Sequence, residues 1–181
     1  MTGVNDETIE TIETIEAWCE ALVATRSLAR KLAPPAPPGA FASPTPPARR
    51  IATPGRPPEL RVVVRAPKVP RPGALGSPKR AAELCHAFLH HELQAAELMA
   101  WAVLAFPETP ETFRRGLVRI AEDELRHVGM FAAQIERLGH AVGEFPVRDW
   151  FWSRVPSVRT PAEFVALLGV GLEGGNLDHS A

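Results

Sequence analysis

Tyrosine is absent from this 181-residue chain, and cysteine nearly so, Cys19 and Cys85 being its two representatives. Without a phenol, no tyrosyl radical can form within these residues. Two cysteines far apart in sequence exclude a disulfide framework and a thiolate metal site, and they leave a reducing cytoplasm as the expected setting. No run of about 18 apolar residues occurs, so no membrane-spanning helix is expected. The opening residues, MTGVNDETIE, are acidic rather than basic and then apolar, so a secretory leader is not expected either. Charge of one sign is also lacking: the formal net charge is −1, which gives no whole-chain argument for nucleic acid or a membrane surface as partner. The 45% hydrophobic content is that of an ordinary globular protein.

Proline is abundant but unevenly spread. Fourteen of the 19 prolines fall between Pro34 and Pro78, together with Arg49, Arg50, Arg56, Arg61, Arg65, Lys68 and Arg71. Proline fixes such a stretch as extended, semi-rigid chain, and the sequence reads residues 33–76 as a linker or wrapping arm. A solvated linker is favoured over an arm; its basic charge is the chain's one feature that could touch an acidic partner or RNA. Within it ELRVVVR, residues 59–65, is the single candidate strand. Before it, residues 1–32 carry the repeat TIETIETIE and then Trp18, Leu22 and Leu28. This predicts one amphipathic helix, acidic early and basic late as the helix dipole prefers, serving for docking or dimerisation.

After residue 77 the pattern becomes long helices. Ser77-Pro78, Thr109-Pro110 and Thr160-Pro161 each place a hydroxyl before a proline at the first helical position, and Thr160 with Glu163 forms a capping box. The predicted helices span about 78–106, about 110–138 with Gly139 as the stop, and 161 onward. Between the last two, Phe145, Trp150, Phe151 and Trp152 are expected to cover the open end of a bundle.

Both long helices interrupt an apolar stripe with acid. The first reads Cys85, Phe88, Glu92, Ala95, Met99, Val103, Phe106; the second reads Leu117, Ile120, Glu124, His127, Phe131, Ile135, Leu138. Folding the pair antiparallel about residue 107 or 108 sets Glu124 opposite residue 91 or so, beside Glu92. Glu97 is displaced by roughly 9 Å at 1.5 Å per residue, as expected of a supporting or neighbouring-face acid. In the third helix, apolar nearly all round, Glu173 is the lone acid among Gly169, Gly171, Gly174 and Gly175, glycines that permit another backbone to approach closely. A Glu from one helix, Glu-x-x-His from the next and a Glu from a third are the ligand types of carboxylate-bridged di-iron or di-manganese bundles. These carboxylates and the imidazole are expected to gather in a dry interior. Glu83 and His86 form a second Glu-x-x-His, but it lies about two and a half turns from Glu92 and fails the register. His90 is expected to face solvent and His91 to lie at a boundary, while Trp101 is expected in the core. On the non-metal alternative, the acids pair with Arg126 or Arg119.

The segments HAFLHHELQAAELMAWA, AEDELRHVGMF, GEFPVRDWFW and LEGGNLD resemble a ferritin-like family catalogued as a domain of unknown function (DUF455-type), distantly similar to di-iron tRNA hydroxylases. The resemblance covers residues 77–181. It implies an all-α, ferritin-like four-helix bundle in which Glu92, Glu124, His127 and Glu173 match the family's metal ligands. In that family a fourth helix carries a second Glu-x-x-His, whereas this chain stops at Ala181. The expectation is therefore an incomplete bundle of three helices, a truncated chain, with the open wall closed by a second copy, a partner helix or the N-terminal helix. The expected function is an oxygen- or peroxide-activating oxidoreductase of the two-iron or two-manganese type, impaired by loss of the second Glu-x-x-His so that at most one metal position is well made, of unknown substrate and with no catalytic residue singled out. Ferritin-type iron oxidation and a non-catalytic helical interaction module are the alternatives.

Overall fold

The computed structural model describes residues 12–65, 70 and 72–168. The described residues form five α-helices: α1 (Ile15–Ala24), α2 (Leu28–Leu32), α3 (Pro78–Ala105), α4 (Glu111–Arg137) and α5 (Pro161–Val165). They contain no strand; residues 59–65 contribute one isolated parallel bridge, Val62 to Val147. The chain is therefore all-α over the described residues, and α3 with α4 makes the central antiparallel hairpin.

Local chemistry accounts for the boundaries, with two departures from the sequence reading. Thr160 caps α5 through the expected capping box with Glu163. Ser77 occupies the N-cap of α3 without a side-chain bond. Pro110 caps α4, while the Thr109 hydroxyl turns back and donates to the Phe106 carbonyl at 2.7 Å. Gly139 ends α4 at a φ of 79°, a conformation that disfavours other residues.

The single N-terminal helix expected over residues 1–32 is corrected to two. The chain breaks after Ala24, and the Ser27 side chain accepts from Arg30 N to start α2; residues 1–11 lie outside the described residues. Nor is the apolar face of α1 turned to a partner. Ile15, Trp18, Cys19, Leu22 and Val23 are buried within the same chain, in a core shared with Trp101, Phe106, Trp152 and Phe164. A second cluster gathers Leu60, Leu89, Leu93, Val128, Ile135 and Val147.

The proline-rich segment lies along the helices, so the preference for a solvated linker is corrected as well. Its backbone hydrogen bonds lead out to the helices because proline and extended chain cannot satisfy them internally. Ile15 N donates to Ala40 O at 2.9 Å, Arg49 N to Leu104 O at 2.8 Å and Gly55 N to Val23 O at 2.8 Å. Indole N–H groups bond the same strap: Trp18 Nε1 donates to Pro35 O at 2.7 Å and Trp101 Nε1 to Ile51 O at 3.0 Å. Gly55 passes so close to α1 that a Cβ there would stand 2.0 Å from the Ala24 carbonyl oxygen. With the strap on one side and α4 on another, every α3 residue from 93 to 105 is buried.

Candidate metal centre

The hairpin fixes the register of its acids. Glu92 on α3 and Glu124 and His127 on α4 each offer a ligand atom, and these atoms all lie within 4.8 Å of one another. His127 Nδ1 stands 3.0 Å from Glu124 Oε2 and 3.9 Å from Glu92 Oε2. Divalent ions of this size hold donors at about 2.0–2.2 Å, so two ligands of one ion are at most about 4.4 Å apart. Small side-chain rotations therefore close the set. Two hard carboxylates together with one borderline imidazole are a donor set that suits iron or manganese.

The surroundings differ from the expected dry interior. The His127 side chain is 45% exposed, Glu92 27% and Glu124 17%, and Phe88 and Ile120 beside them are also exposed. The cluster sits at a half-open edge of the hairpin. The reason is a phase error in the apolar stripes. Leu117, Val118, Ala121, Val128 and Ile135 line the buried face of α4, so Ile120, Glu124 and His127 flank that face. On α3, Ala95, Met99, Val103 and Phe106 are buried as expected, whereas the first half of the helix buries Ala82, His86, Leu89 and His90. The loop after α4 packs there as a further layer that periodicity does not reveal. Glu173 lies outside the described residues.

His90, expected in solvent, is 1% exposed and lies 2.9 Å from Asp149 through Nε2. His91 is half-buried against Phe151, ring centroids 5.3 Å apart. Arg126 bonds Asp123, 2.5 Å away on the exposed face, and Arg119 is exposed; the salt bridges of the described residues join neither to the acid cluster. Glu83 pairs with Arg80 at 2.6 Å, and His86 Nε2 accepts from Gly143 N at 2.8 Å, which separates that Glu-x-x-His into unrelated contacts.

A second polar constellation was not foreseen. Glu97, 0% exposed, accepts four hydrogen bonds: from Lys31 Nζ at 2.5 Å and Arg56 Nη1 at 2.6 Å on Oε1, and from Arg56 Nη2 at 2.8 Å and Trp152 Nε1 at 2.9 Å on Oε2. Lys31 also donates to the Leu22 and Val23 carbonyls at the end of α1, at 2.6 and 3.0 Å, so all three ammonium hydrogens have acceptors. Arg56 Nε reaches both Asp149 oxygens, at 2.9 and 3.0 Å. Burial lowers the pKa of Lys31, outweighing the attraction of Glu97. Burial also acts against the Arg56 charge, but Glu97 and Asp149 more than offset it and hold that pKa above its ordinary value. For Asp149, burial is outweighed by the His90 hydrogen bond and the Arg56 charge, so its carboxyl stays below the usual range. Gln94 completes the set, donating to Arg148 O and accepting from Phe151 N. This network joins α2, the strap, α3 and the loop after α4. Its only sequence signal was that Glu97, like Glu92, interrupts a helix otherwise apolar at that point.

Among the described residues no helix is long and apolar enough to cross a membrane. The family described as "Protein of unknown function (DUF455)" matches residues 6–181. No curated protein and no solved structure matches the chain.

Proposed function

The chain belongs to the DUF455 family, and from that premise we propose that it is a carboxylate-bridged dimetal protein of ferritin-like type that activates oxygen or peroxide. The observation that carries this reading is the meeting of Glu92, Glu124 and His127 from two helices, with ligand atoms within 4.8 Å. In it, α3 and α4 supply two helices of the four-helix bundle, and Glu173, which lies outside the described residues, is the further carboxylate that the sequence offers. Bound iron or manganese would supply the electron-transfer chemistry with oxygen. The chain's own residues orient and limit it. The half-open edge at His127 admits small molecules, while the aromatic pair Phe88 and Phe131, 5.7 Å apart, bounds the approach. Ferritin-type iron oxidation uses the same ligands without an organic substrate.

A second reading has its own support. A histidine three residues after a glutamate, 45% exposed and 3.0 Å from it, is also an ordinary helical ion pair, as in a helical module that does no chemistry. Metal analysis of the purified full chain separates the two. Bound iron or manganese should be lost in Glu124→Ala and His127→Ala and kept in Glu144→Gln, whose side chain pairs with His140 elsewhere. Equal metal content in all four proteins would sink the metal reading. Oxygen uptake on adding ferrous iron alone would then favour iron oxidation over an enzyme needing an organic substrate.

A further inference from the structure

The triplet Thr-Ile-Glu occurs three times in succession, at residues 8–10, 11–13 and 14–16. In the third copy Ile15 is 2% exposed within the core, and Glu16 beside it is buried as well. Glu16 Oε1 accepts from Arg114 Nη1 of α4 at 3.2 Å, and Oε2 accepts from Ala42 N at 2.9 Å. In the second copy Ile12 packs, partly buried, against the same core, while Glu13 is exposed. The first copy lies outside the described residues. Beside Ile15 the surface opens into a cleft of about 200 Å³ between Pro37 and Pro38 of the strap and Arg115, Val118 and Arg119 of α4. Its two cations differ in their partners. Arg115 pairs with Glu111 at 2.6 Å, whereas Arg119 is exposed and joins no ion pair among the described residues.

We propose that this cleft is the docking site of the chain's own leading segment, residues 1–11. In it Thr8-Ile9-Glu10 repeats the mode of Thr14-Ile15-Glu16, with Ile9 against Val118 and the two prolines and Glu10 on Arg119, as Glu16 is on Arg114. The connection permits it. Six extended residues span about 20 Å, so Ile9 reaches a cleft that Ile15 itself lines. The charge favours it too, since residues 1–11 carry Asp6, Glu7 and Glu10 and no lysine or arginine. Glu122 also lines the cleft and repels a further acid, so Asp6 and Glu7 are not assigned to it. A tethered segment meets its site at a high effective concentration, and an isoleucine with one ion pair is then enough to hold it. The same segment of a second copy has the same chemistry without the tether, and the test separates the two. The docking is independent of whether the carboxylate cluster holds metal.

A nitroxide on Thr8→Cys, in the ¹⁵N-labelled full chain with Cys85→Ser, reports the contact by broadening nearby amide signals. Cys19 is 0% exposed and stays unlabelled. The expected result is strong broadening at Val118 and Arg119 and little at Arg137, about 27 Å farther along α4. No broadening at Val118 and Arg119 would overturn the proposal. Broadening of equal size in a mixture of spin-labelled unenriched chain with label-free ¹⁵N chain would overturn it too, by giving the cleft to a second copy. Arg119→Glu, an exposed change that leaves the fold intact, should lower the ratio of docked to undocked segment about two- to fivefold, the worth of one exposed ion pair. Adding Glu10→Arg to that variant should restore the broadening. Broadening unchanged in Arg119→Glu, or not restored in the double variant, counts against the site.

Discussion

Replacing Glu97 by glutamine removes the charge that the buried network is built around while keeping the side chain's shape. The carboxylate's four acceptor positions are filled, two by Lys31 and Arg56 on Oε1 and two by Arg56 and Trp152 on Oε2. A carboxamide keeps one oxygen and turns an NH2 toward donors, so two of those bonds become donor against donor. Lys31, at 0% exposure, loses the negative charge that offsets its own whichever oxygen the amide keeps. Breaking one side of a buried ion pair costs about 3–5 kcal/mol, and because Arg56 keeps Asp149 the expected loss lies near the lower end, about 3 kcal/mol. Urea unfolding followed by tryptophan fluorescence measures it: with a slope of about 2 kcal/mol per molar, the midpoint falls by about 1.5 M. Glu92→Gln is the control. That side chain is 27% exposed, and its loss should stay within about 1 kcal/mol. A Glu97→Gln midpoint within about 0.5 M of wild type, or equal to that of Glu92→Gln, would refute the claim that the network holds strap, helices and loop together.

Three other outcomes follow from the packing and the titrating groups. Gly55→Ala should destabilise by about 1–3 kcal/mol, because its methyl would stand 2.0 Å from a backbone oxygen of α1; a melting temperature unchanged from wild type would contradict this. Leu117→Ala should cost about 2–5 kcal/mol and Ile120→Ala less than about 1 kcal/mol, since Leu117 is 5% and Ile120 41% exposed; urea midpoints in the reverse order would show that the face of α4 is misassigned. His86 takes up its proton near pH 4 in the native chain but near pH 6.5 when unfolded. Its neutral ring therefore stabilises fully above pH 6.5, and up to about 3 kcal/mol is lost as the pH falls toward 4. Stability measured across that window should fall less steeply in His86→Phe.

The long helices were legible because local signals mark them: proline in the first turn of α3, proline at the N-cap of α4 and glycine just past the end of α4. The opposition of Glu92 and Glu124 was legible for a similar reason, since a short hairpin converts sequence distance into axial position at a fixed rise. What was not legible depends on contacts between distant segments. The bonds to Glu97 come from Lys31, Arg56 and Trp152, and no periodicity links those positions. The same cause misplaced His90. Its helix carries a second covering layer, and a residue on the far side of a hairpin reads as exposed until that layer is known. Proline-rich composition disfavours helix and strand, and residues 34–58 form neither, but it says nothing about whether such chain finds indoles and helix-end carbonyls to bond.

Five residues separate Glu92 from Glu97, roughly 7.5 Å along the axis and about 140° around it, so one helix presents acid to two different environments. Glu97 has no coordination capacity left, because protein donors fill its lone pairs. Glu92 and Glu124 instead stand beside His127, at 3.9 and 3.0 Å, in a donor set that suits iron or manganese. A cation bound there should therefore stabilise the native chain by mass action. At a free metal concentration of 100 times Kd the gain is about 2.7 kcal/mol, which for a chain of this size raises Tm by about 5–10 °C. Thermal melts with added ferrous or manganous ion should show that rise in wild type, its reversal by chelator, and its absence in His127→Ala. Glu97→Gln should start from a lower Tm and gain a similar increment, because its defect lies on the other face of α3. A rise of equal size in His127→Ala would mean that the ion binds elsewhere, and the dimetal reading would then have to be given up.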